Sequence, residues 1–260
     1  MGNMEIEILG SGTSIGVPMV GCECRVCRSA DPRDKRLRAS VFINLNGVHI
    51  LIDTSIDYRQ QMLRAGIMRL DAVIFTHHHV DHILGLDDLR SFNILHRTAI
   101  PLYGLEETLA NIRRVFAYAF SGDSSQSDVP RLSLHVLDDR PFSIRGLEIL
   151  PIPLWHGEMP VLGFRIGDFA YCTDVSRIPE SSYQRLKGLQ ALILGALRYK
   201  PHPTHFTIAE AVREAQKIGA GITYFTHLSH GVLHAEAEAQ LPENIRLAYD
   251  GLRIEVKNAK

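Results

Sequence analysis

A histidine-rich segment, THHHVDH at residues 76–82, constrains this chain more than any other feature of its sequence. It follows the apolar run Ala72–Phe75, whose composition predicts a buried strand. Side chains two residues apart in an extended chain point to the same side, so His77 and His79 can bind one divalent ion together. The segment therefore predicts a metal site directly after a strand.

The second half of the segment can serve a second ion. As the chain turns into the following helix, Asp81 and His82 can face a metal next to the first one. Imidazoles and carboxylates together suit zinc, manganese or iron. A solvated loop that is rich in histidine by chance is the alternative, and three other strand endings argue against it. Each places a metal-ligand residue type at the sheet edge where sites are usually built: His156 in IPLWH, Asp174 in YCTD and His227 in TYFTH.

Short apolar runs alternate with helical patterns along the chain. The predicted strands are Glu5–Leu9, Val41–Asn44, His49–Asp53, Ala72–Phe75, Leu147–Ile152, Val161–Ile166, Phe169–Cys172, Ala191–Leu194 and Ile222–Phe225. The predicted helices are Asp57–Ala65, Leu86–Leu95, Glu106–Phe120, Ser181–Leu186, Ile208–Ile218 and Ala235–Gln240. Thr207 and Glu210 predict a capping box before the helix at Ile208, and residues 121–130 predict an exposed polar loop. This mixture predicts an α/β fold in a single domain over residues 1–260.

The bulk composition narrows the class of protein. Of 260 residues, 45% are hydrophobic and 22% charged, as in soluble globular proteins. A net charge of −1 gives no global attraction to nucleic acid or to an anionic membrane. Glu5 and Glu7 stand where a secretion signal needs an apolar run, and the longest apolar stretch, LQALILGALRY, is too short to span a membrane. We therefore expect a cytoplasmic protein with reduced thiols.

With these residues in place, the chain resembles the metallo-β-lactamase superfamily over nearly its whole length. The resemblance rests on H-x-H-x-D-H after an apolar strand, on the later His, Asp and His, and on LIDTS at residues 51–55. It implies a four-layer αββα sandwich with a two-metal site at one edge. It also implies the ligands: His77, His79 and His156 for the first ion, Asp81, His82 and His227 for the second, and Asp174 for both. Asp53 is expected to hold a ligand histidine or a loop by hydrogen bonds.

Three of the four cysteines lie within GCECRVC at residues 21–27. In a reducing compartment such a cluster predicts a metal site rather than a disulfide. The stretch GSGTSIGVPMVGCECRVC resembles the PhnP-like phosphodiesterase subgroup, which implies a structural zinc bound by three cysteines and a late histidine. The implied ligands are Cys22, Cys24, Cys27 and His230. A redox pair of Cys24 and Cys27, or free thiols, are the alternatives.

Attack on phosphorus suits such a site, because two ions roughly 3.5–4 Å apart can hold a hydroxide and stabilise charge on the attacked group. The resemblance places a histidine before the capped helix as general acid or phosphate-orienting group, and we assign it to His205 rather than His202. A surface histidine that caps a turn is the alternative. Asp81 and Asp174 are the other predicted catalytic residues. We interpret the basic run Arg33–Arg38 as a solvated loop. The alternative is that its cations bind a terminal phosphate of the substrate.

The leading hypothesis is a metal-dependent phosphodiesterase with two divalent catalytic metals, Mn²⁺ or Zn²⁺ with Fe as a further choice, and one structural Zn²⁺. The implied substrate is a small phosphodiester, cyclic and of the ribosyl 1,2-cyclic phosphate type. No membrane partner is expected, nucleic acid is disfavoured, and a homodimer is an expectation from the resemblance alone.

Other functions are weighed against it. A transfer-RNA 3′ processing nuclease needs a flexible Gly/Pro-rich arm, but residues 83–155 show the helical pattern ETLANIRRVFAYAF instead. A PqqB-like cofactor-biosynthesis protein shares the fold, yet the complete set of catalytic ligands favours hydrolysis. A scaffold that only folds around zinc leaves those ligands unexplained, and a β-lactamase or thioesterase rests on the fold alone.

Overall fold

The computed structural model describes residues 3–121 and 129–257, and its strands form two sheets of seven. In chain order the strands are β1 (Asn3–Gly10), β2 (Ser40–Leu45), β3 (Val48–Ile52), β4 (Ala72–Ile74), β5 (Ile100–Leu105), β6 (Leu132–Leu137), β7 (Phe142–Ile144), β8 (Leu147–His156), β9 (Met159–Ile166), β10 (Phe169–Cys172), β11 (Ala191–Gly195), β12 (Ile222–Thr226), β13 (Ile245–Leu247) and β14 (Arg253–Lys257). The α-helices are α1 (Tyr58–Ala65), α2 (Val80–Ile83), α3 (Arg90–His96), α4 (Glu106–Val115), α5 (Glu180–Tyr183), α6 (Ile208–Ile218) and α7 (His234–Glu238). Short 3₁₀ segments occupy Pro32–Asp34, Leu84–Leu89, Ala117–Phe120 and Gln184–Leu186.

Each sheet has an antiparallel half and a parallel half. The first sheet has the order β14-β1-β2-β3-β4-β5-β6, antiparallel as far as β3 and parallel from β3 onward. The second has the order β13-β12-β11-β10-β9-β8-β7, parallel as far as β10 and antiparallel beyond it. In a parallel half the carboxyl ends of neighbouring strands meet at one edge, which is where a site can be built.

Apolar side chains of both sheets form the central core. On β1 the alternate residues Met4, Ile6 and Ile8 are buried there together with Phe164 of β9, as the two-residue period of a strand requires. A second core lies between the first sheet and α1–α4, and a third lies between the second sheet and α5–α7. The result is an α/β protein with four αββα layers, which confirms the predicted fold class.

The predicted strands are all present, with small shifts at their ends. Sequence patterns missed β5, β6, β7, β13 and β14. The predicted helix Leu86–Leu95 is wrong in its first half, because Leu84–Leu89 is a 3₁₀ segment and α3 begins only at Arg90. Of the predicted polar loop, residues 122–128 lie outside the described residues. Within the described ranges, no helix is both long and apolar enough to cross a membrane.

Helix α6 has the local signals that the sequence predicts. The Thr207 hydroxyl accepts a hydrogen bond from the backbone N–H of Glu210, whose carboxylate accepts one in return from the backbone N–H of Thr207. The helix ends at Gly219, where φ is 70°. Its apolar face is buried against the second sheet, so its first turn is fixed close to the sheet edge.

Candidate metal centres

Four strand ends bring seven predicted ligands to one rim of the sandwich. Those from the first sheet follow β4, and those from the second sheet end β8 or follow β10 and β12. In one set, each ligand atom lies within 4.8 Å of every other: His77, His79, His156 and Asp174. The same limit holds for a second set: Asp81, His82 and His227. The structure thus brings together every side chain predicted to bind the two catalytic metals.

Asp174 lies between the two sets, with one carboxylate oxygen toward each. Its Oδ2 is 3.6 Å from Nε2 of His77 and 3.9 Å from Nε2 of His156. Its Oδ1 is 3.5 Å from Nε2 of His82 and 3.3 Å from Nε2 of His227. Burial alone would raise the pKa of Asp174, but the rings of His227 and His82 hold that pKa well below its usual value. The carboxylate is therefore ionised, and its two oxygens can bridge two cations.

Three residues near this rim have a left-handed backbone. The φ angle is 65° at Asp53, 52° at Asp174 and 60° at His227. Such angles are uncommon outside glycine, although Asp, Asn and His adopt them more often than other residues. Each costs on the order of 1–3 kcal/mol and persists only where the surrounding structure holds it, which is typical of functional sites.

Asp53 orients His82, a member of the second ligand set, through a contact with the ring nitrogen that faces away from Asp174. Its carboxylate is fully buried, accepts hydrogen bonds from the backbone N–H of Thr76 at 2.8 Å and from the Thr76 hydroxyl at 2.8 Å, and lies 2.7 Å from Nδ1 of His82. A carboxylate on Nδ1 places the proton there and leaves Nε2 of His82 free as a ligand. The structure thus places Asp53 where the sequence predicts it, behind a ligand histidine.

Two further ligand histidines are held in a similar manner. Nδ1 of His156 is 2.6 Å from the backbone carbonyl oxygen of Thr204, and Nδ1 of His77 is 2.9 Å from the Thr76 hydroxyl. In both rings Nε2 remains turned toward Asp174. Sequence reasoning missed Thr204, because its contribution is a backbone carbonyl and carries no residue signature.

Orphaned nitrogens show that the sets fit metal ions. Among the described residues, Nε2 of His82 and Nε2 of His227 are buried and have no hydrogen-bond partner. The Asp81 Oδ2 atom is 3.4 Å from the first and 3.7 Å from the second. Unpaired buried polar atoms are costly, and a divalent cation among these nitrogen and oxygen atoms would satisfy them. The donor chemistry therefore fits two ions, with Asp174 between them.

A separate cluster holds the three cysteines and His230. Nδ1 of His230 is 3.4 Å from Sγ of Cys22 and 3.5 Å from Sγ of Cys24, and all four ligand atoms lie within 4.8 Å of one another. A tetrahedral zinc separates its sulfur and nitrogen ligands by roughly 3.6 Å, so these distances fit zinc. The Cys27 backbone N–H lowers the pKa of the Cys24 thiol to about 6, whereas burial raises the pKa of Cys27 to about 11. A coordinating ion would deprotonate the thiols that bind it.

His205 lies against both ligand sets without joining their hydrogen bonds. Its ring centroid is 4.8 Å from that of His227, nearly parallel to it, and 4.5 Å from that of His156. The His202 ring is 5.0 Å from His205, farther from the ligands. Burial lowers the pKa of His205 to about 3. His78, between two ligands in sequence, belongs to neither set.

The basic run does not form a solvated face. Arg33 pairs with Asp31, Lys35 donates to the carbonyl of Cys27, and Arg38 pairs with Asp57. Arg36 is fully buried and donates to the Asp34 carboxylate and to three backbone carbonyl groups, those of Arg33, Ser229 and Val232. These four cations are engaged within the protein, so neither a solvated loop nor a phosphate site describes the whole run.

A four-layer sandwich with this rim defines the class of metallo-β-lactamase-fold, metal-dependent hydrolases. Residues 49–228 match the family model described as the β-lactamase superfamily domain, and the chain belongs to that superfamily. The chain is similar to the crystal structure of a diphosphatase from the PhnP family, with 44% sequence identity and a TM-score of 0.93. The superposition covers 98% of this chain and 98% of the diphosphatase chain. These findings confirm the resemblance predicted from the sequence.

Two curated relatives are matched over part of their length. An octanoyltransferase of Porphyromonas gingivalis is 44% identical over 253 residues, which are 96% of this chain and 51% of that protein. The coenzyme PQQ synthesis protein B of Rhodopseudomonas palustris is 33% identical over 166 residues, which are 56% of this chain and 51% of that protein. The chain thus spans about half the length of these relatives, and the activities in their names are not assigned to it.

Proposed function

We propose that this protein is a dinuclear metal-dependent phosphodiesterase that hydrolyses a small phosphodiester. The observation that carries the proposal is the position of Asp174, whose two oxygens face two separate sets of ligand atoms. When bound there, two divalent ions activate water and supply positive charge for the attacked phosphate. Mn²⁺, Zn²⁺ and Fe²⁺ all suit the donor atoms, and the cysteine cluster suits a structural Zn²⁺.

In the proposed reaction the oxygen of water forms a bond to phosphorus while the ester P–O bond breaks. The leaving oxygen needs a proton, and we assign its donation to His205. The attacking water releases one proton to solvent, and His205 takes one back from solvent. Its ring touches ligand rings of both sets, and within the described residues no hydrogen bond engages its nitrogens. A neutral imidazole in this position can donate an N–H to the phosphate or to the leaving oxygen. Asp81 and Asp174 remain ionised, and their negative charges would stabilise divalent cations bound at the rim.

The first substrate candidate is a ribosyl 1,2-cyclic phosphate, which the sequence resemblance implies. A diphosphate ester is a second candidate, favoured by the structural similarity to a protein described as a diphosphatase. Both reactions attack phosphorus and release an oxygen leaving group, so one site can serve either. Transfer-RNA processing is an outcome that the same assay can reveal, and absence of turnover with every substrate would leave the PqqB-like role as the alternative.

The test is phosphorus NMR of metal-loaded protein with a panel of substrates. The panel contains 5-phosphoribosyl 1,2-cyclic phosphate, a dinucleoside diphosphate, a linear aryl phosphodiester and a precursor transfer RNA. We expect fast opening of the cyclic ester, with turnover lost in Asp174→Asn. Preferred cleavage of the diphosphate selects the second candidate. If protein with full catalytic metal leaves all the small esters intact, the phosphodiesterase proposal fails.

A further inference from the structure

His227 differs from other ligand histidines in the way its ring is held. Three of the others have an oxygen atom within 2.9 Å of Nδ1. Neither ring nitrogen of His227 has a hydrogen-bond partner among the described residues, and its backbone is left-handed, with φ at 60°. Such a backbone angle persists only where the surrounding structure holds it. The position of this ring therefore depends on the chain around it.

The chain directly after His227 is held by the loop at residues 11–13. The backbone N–H of Leu228 donates to the carbonyl of Ser11 at 2.9 Å, and the backbone N–H of Thr13 donates to the carbonyl of Leu228 at 3.2 Å. Gly12, between these two residues of the loop, pairs in parallel with Leu228. The loop follows β1 of the first sheet and Leu228 follows β12 of the second, so these bonds join the two sheets beside the metal-ligand rim.

Two glycines let this loop lie close to the neighbouring chain at residues 36–38. A Cβ on Gly10 would lie 1.9 Å from the carbonyl oxygen of Arg38, and a Cβ on Gly12 would lie 2.8 Å from the carbonyl oxygen of Arg36. Any side chain at either position would push the loop away. This explains why the segment GSG at residues 10–12 has glycine at both positions.

The carboxylate of Asp250 anchors the loop from the other side. Its Oδ1 accepts hydrogen bonds from the backbone N–H of Ser11 at 2.9 Å and from the Ser11 hydroxyl at 2.8 Å. Its Oδ2 accepts one from the backbone N–H of Leu37 at 2.8 Å and one from Nη1 of Arg64 at 3.4 Å. The side chain is only 7% exposed. Asp250 belongs to none of the metal-ligand sets of the described residues, and the proposed reaction does not use it.

We propose that Asp250 is a positioning residue for His227, acting through Ser11 and Leu228. The path is short: the carboxylate holds Ser11, the Ser11 carbonyl holds the Leu228 N–H, and Leu228 is bonded to His227. Without the carboxylate the loop can shift, and the His227 ring can move from Asp174, whose Oδ1 is 3.3 Å from its Nε2. The inference concerns the second catalytic ion and does not depend on which ester the protein cleaves.

The test is Asp250→Asn, which places an NH₂ donor among groups that are themselves donors. Metal-free protein is titrated with Mn²⁺ and followed by electron paramagnetic resonance. Mn²⁺ is used because the thiolates of the cysteine cluster favour other metals. We expect affinity for the second ion to fall about tenfold, as for other groups that orient a ligand. Affinity for the first ion, whose set does not contain His227, should stay as in wild type.

Asp71→Asn is the matched control for a loss of stability alone. Asp71 is also a buried carboxylate that accepts from a backbone N–H, that of His49, and it pairs with Arg69 and Arg145. It precedes β4, whereas the ligands of that strand follow it. This variant should lower the melting temperature and leave both Mn²⁺ affinities unchanged. Equal loss of affinity in the two variants would overturn the inference, as would wild-type affinity for the second ion in Asp250→Asn.

A milder variant keeps the test decisive if Asp250→Asn does not fold. Ser11→Ala removes the hydroxyl contact with Asp250 and keeps the backbone one. It should weaken binding of the second ion by a smaller factor than Asp250→Asn, again without a change for the first ion. Unchanged affinity for the second ion, or equal weakening of both ions, would count against the positioning role. These measurements use no ester, so failure of the phosphodiesterase proposal would leave their result standing.

Discussion

The Asp53 carboxylate lies 2.7 Å from Nδ1 of His82, and both side chains are inaccessible to solvent. Asp53→Asn replaces one acceptor oxygen by an NH₂ donor in a site where Thr76 and His82 present only donors. We expect affinity for the second catalytic ion to fall by about 10–100-fold, as for other carboxylates that orient a ligand histidine. Metal content after equilibration with a metal buffer measures this. Asp139→Asn, at an exposed residue, is the control, and equal metal content in both variants would contradict the role of Asp53.

Asp174→Asn should abolish the bridge between the two ligand sets. Asparagine adopts left-handed backbone readily, so the φ of 52° at this position is retained and the fold should persist. The loss of charge between two cations should lower kcat by about a thousandfold or more, because several kcal/mol of stabilisation at the transition state are removed. Steady-state turnover with saturating metal is the measurement, with circular dichroism as the check on folding. Wild-type turnover would refute the site.

Cys24→Ser should release one zinc per chain and lower the melting temperature. The substitution removes a thiolate that lies 3.5 Å from Nδ1 of His230 and so disconnects the loop at residues 21–27 from the loop after β12. Elemental analysis and calorimetry test both effects. Cys172→Ala alters a buried cysteine of the core and should leave the zinc content unchanged. Equal zinc in Cys24→Ser and wild type would exclude the cysteine site and favour free thiols.

Arg36→Met should destabilise the fold by roughly 3–5 kcal/mol. It removes one partner of a fully buried ion pair and leaves the Asp34 carboxylate without its cation. It also removes the side-chain donor from the carbonyl of Val232 and one of the two donors from the carbonyl of Ser229, which keeps the backbone N–H of Val232. Urea denaturation gives the change in the free energy of unfolding. Arg28→Gln, which breaks an exposed pair with Glu23, should change it by less than about 0.5 kcal/mol, and a similar value for Arg36→Met would be evidence against the buried pair.

His205→Ala should lower kcat by about 100-fold or more while both catalytic metals stay bound, as for loss of a proton donor. Turnover and metal content are measured on the same samples. His96→Ala changes an exposed histidine that contacts the carbonyl of Met68 and should leave both unchanged. Loss of metal in His205→Ala would instead show that His205 is a ligand.

Local patterns predict much of this molecule, and long-range contacts explain the rest. The H-x-H-x-D-H segment identifies four ligands because residues that are close in sequence, here between the end of β4 and the first turn of α2, are also close in space. Strand β6 escaped prediction because its residues are mostly half-exposed and show no clean alternation, and Pro101 and Gly104 interrupt the pattern of β5.

Two features could not be read from the sequence. In the 3₁₀ segment Leu84–Leu89, a Cβ on Gly85 would lie 2.2 Å from the carbonyl oxygen of Ser55. The backbone conformation of this segment therefore depends on close contact with a residue thirty positions earlier in the sequence. The burial of Arg36 likewise depends on carbonyl groups almost two hundred residues away in sequence. A basic residue in a basic run gives no sign of such acceptors.

The rim joins the two halves of the chain as well as the two ligand sets. His77, His79, Asp81 and His82 belong to the first sheet and its helix, whereas His156, Asp174 and His227 belong to the second. Ions at the rim would therefore act as cross-links between two layers that are otherwise joined at this edge by side-chain packing and by a few backbone hydrogen bonds, such as the one from the N–H of Leu162 to the carbonyl of Thr76. Cooperative unfolding of the two sheets and catalytic activity would then both depend on the bound ions. A variant that weakens metal binding at the rim should therefore reduce both.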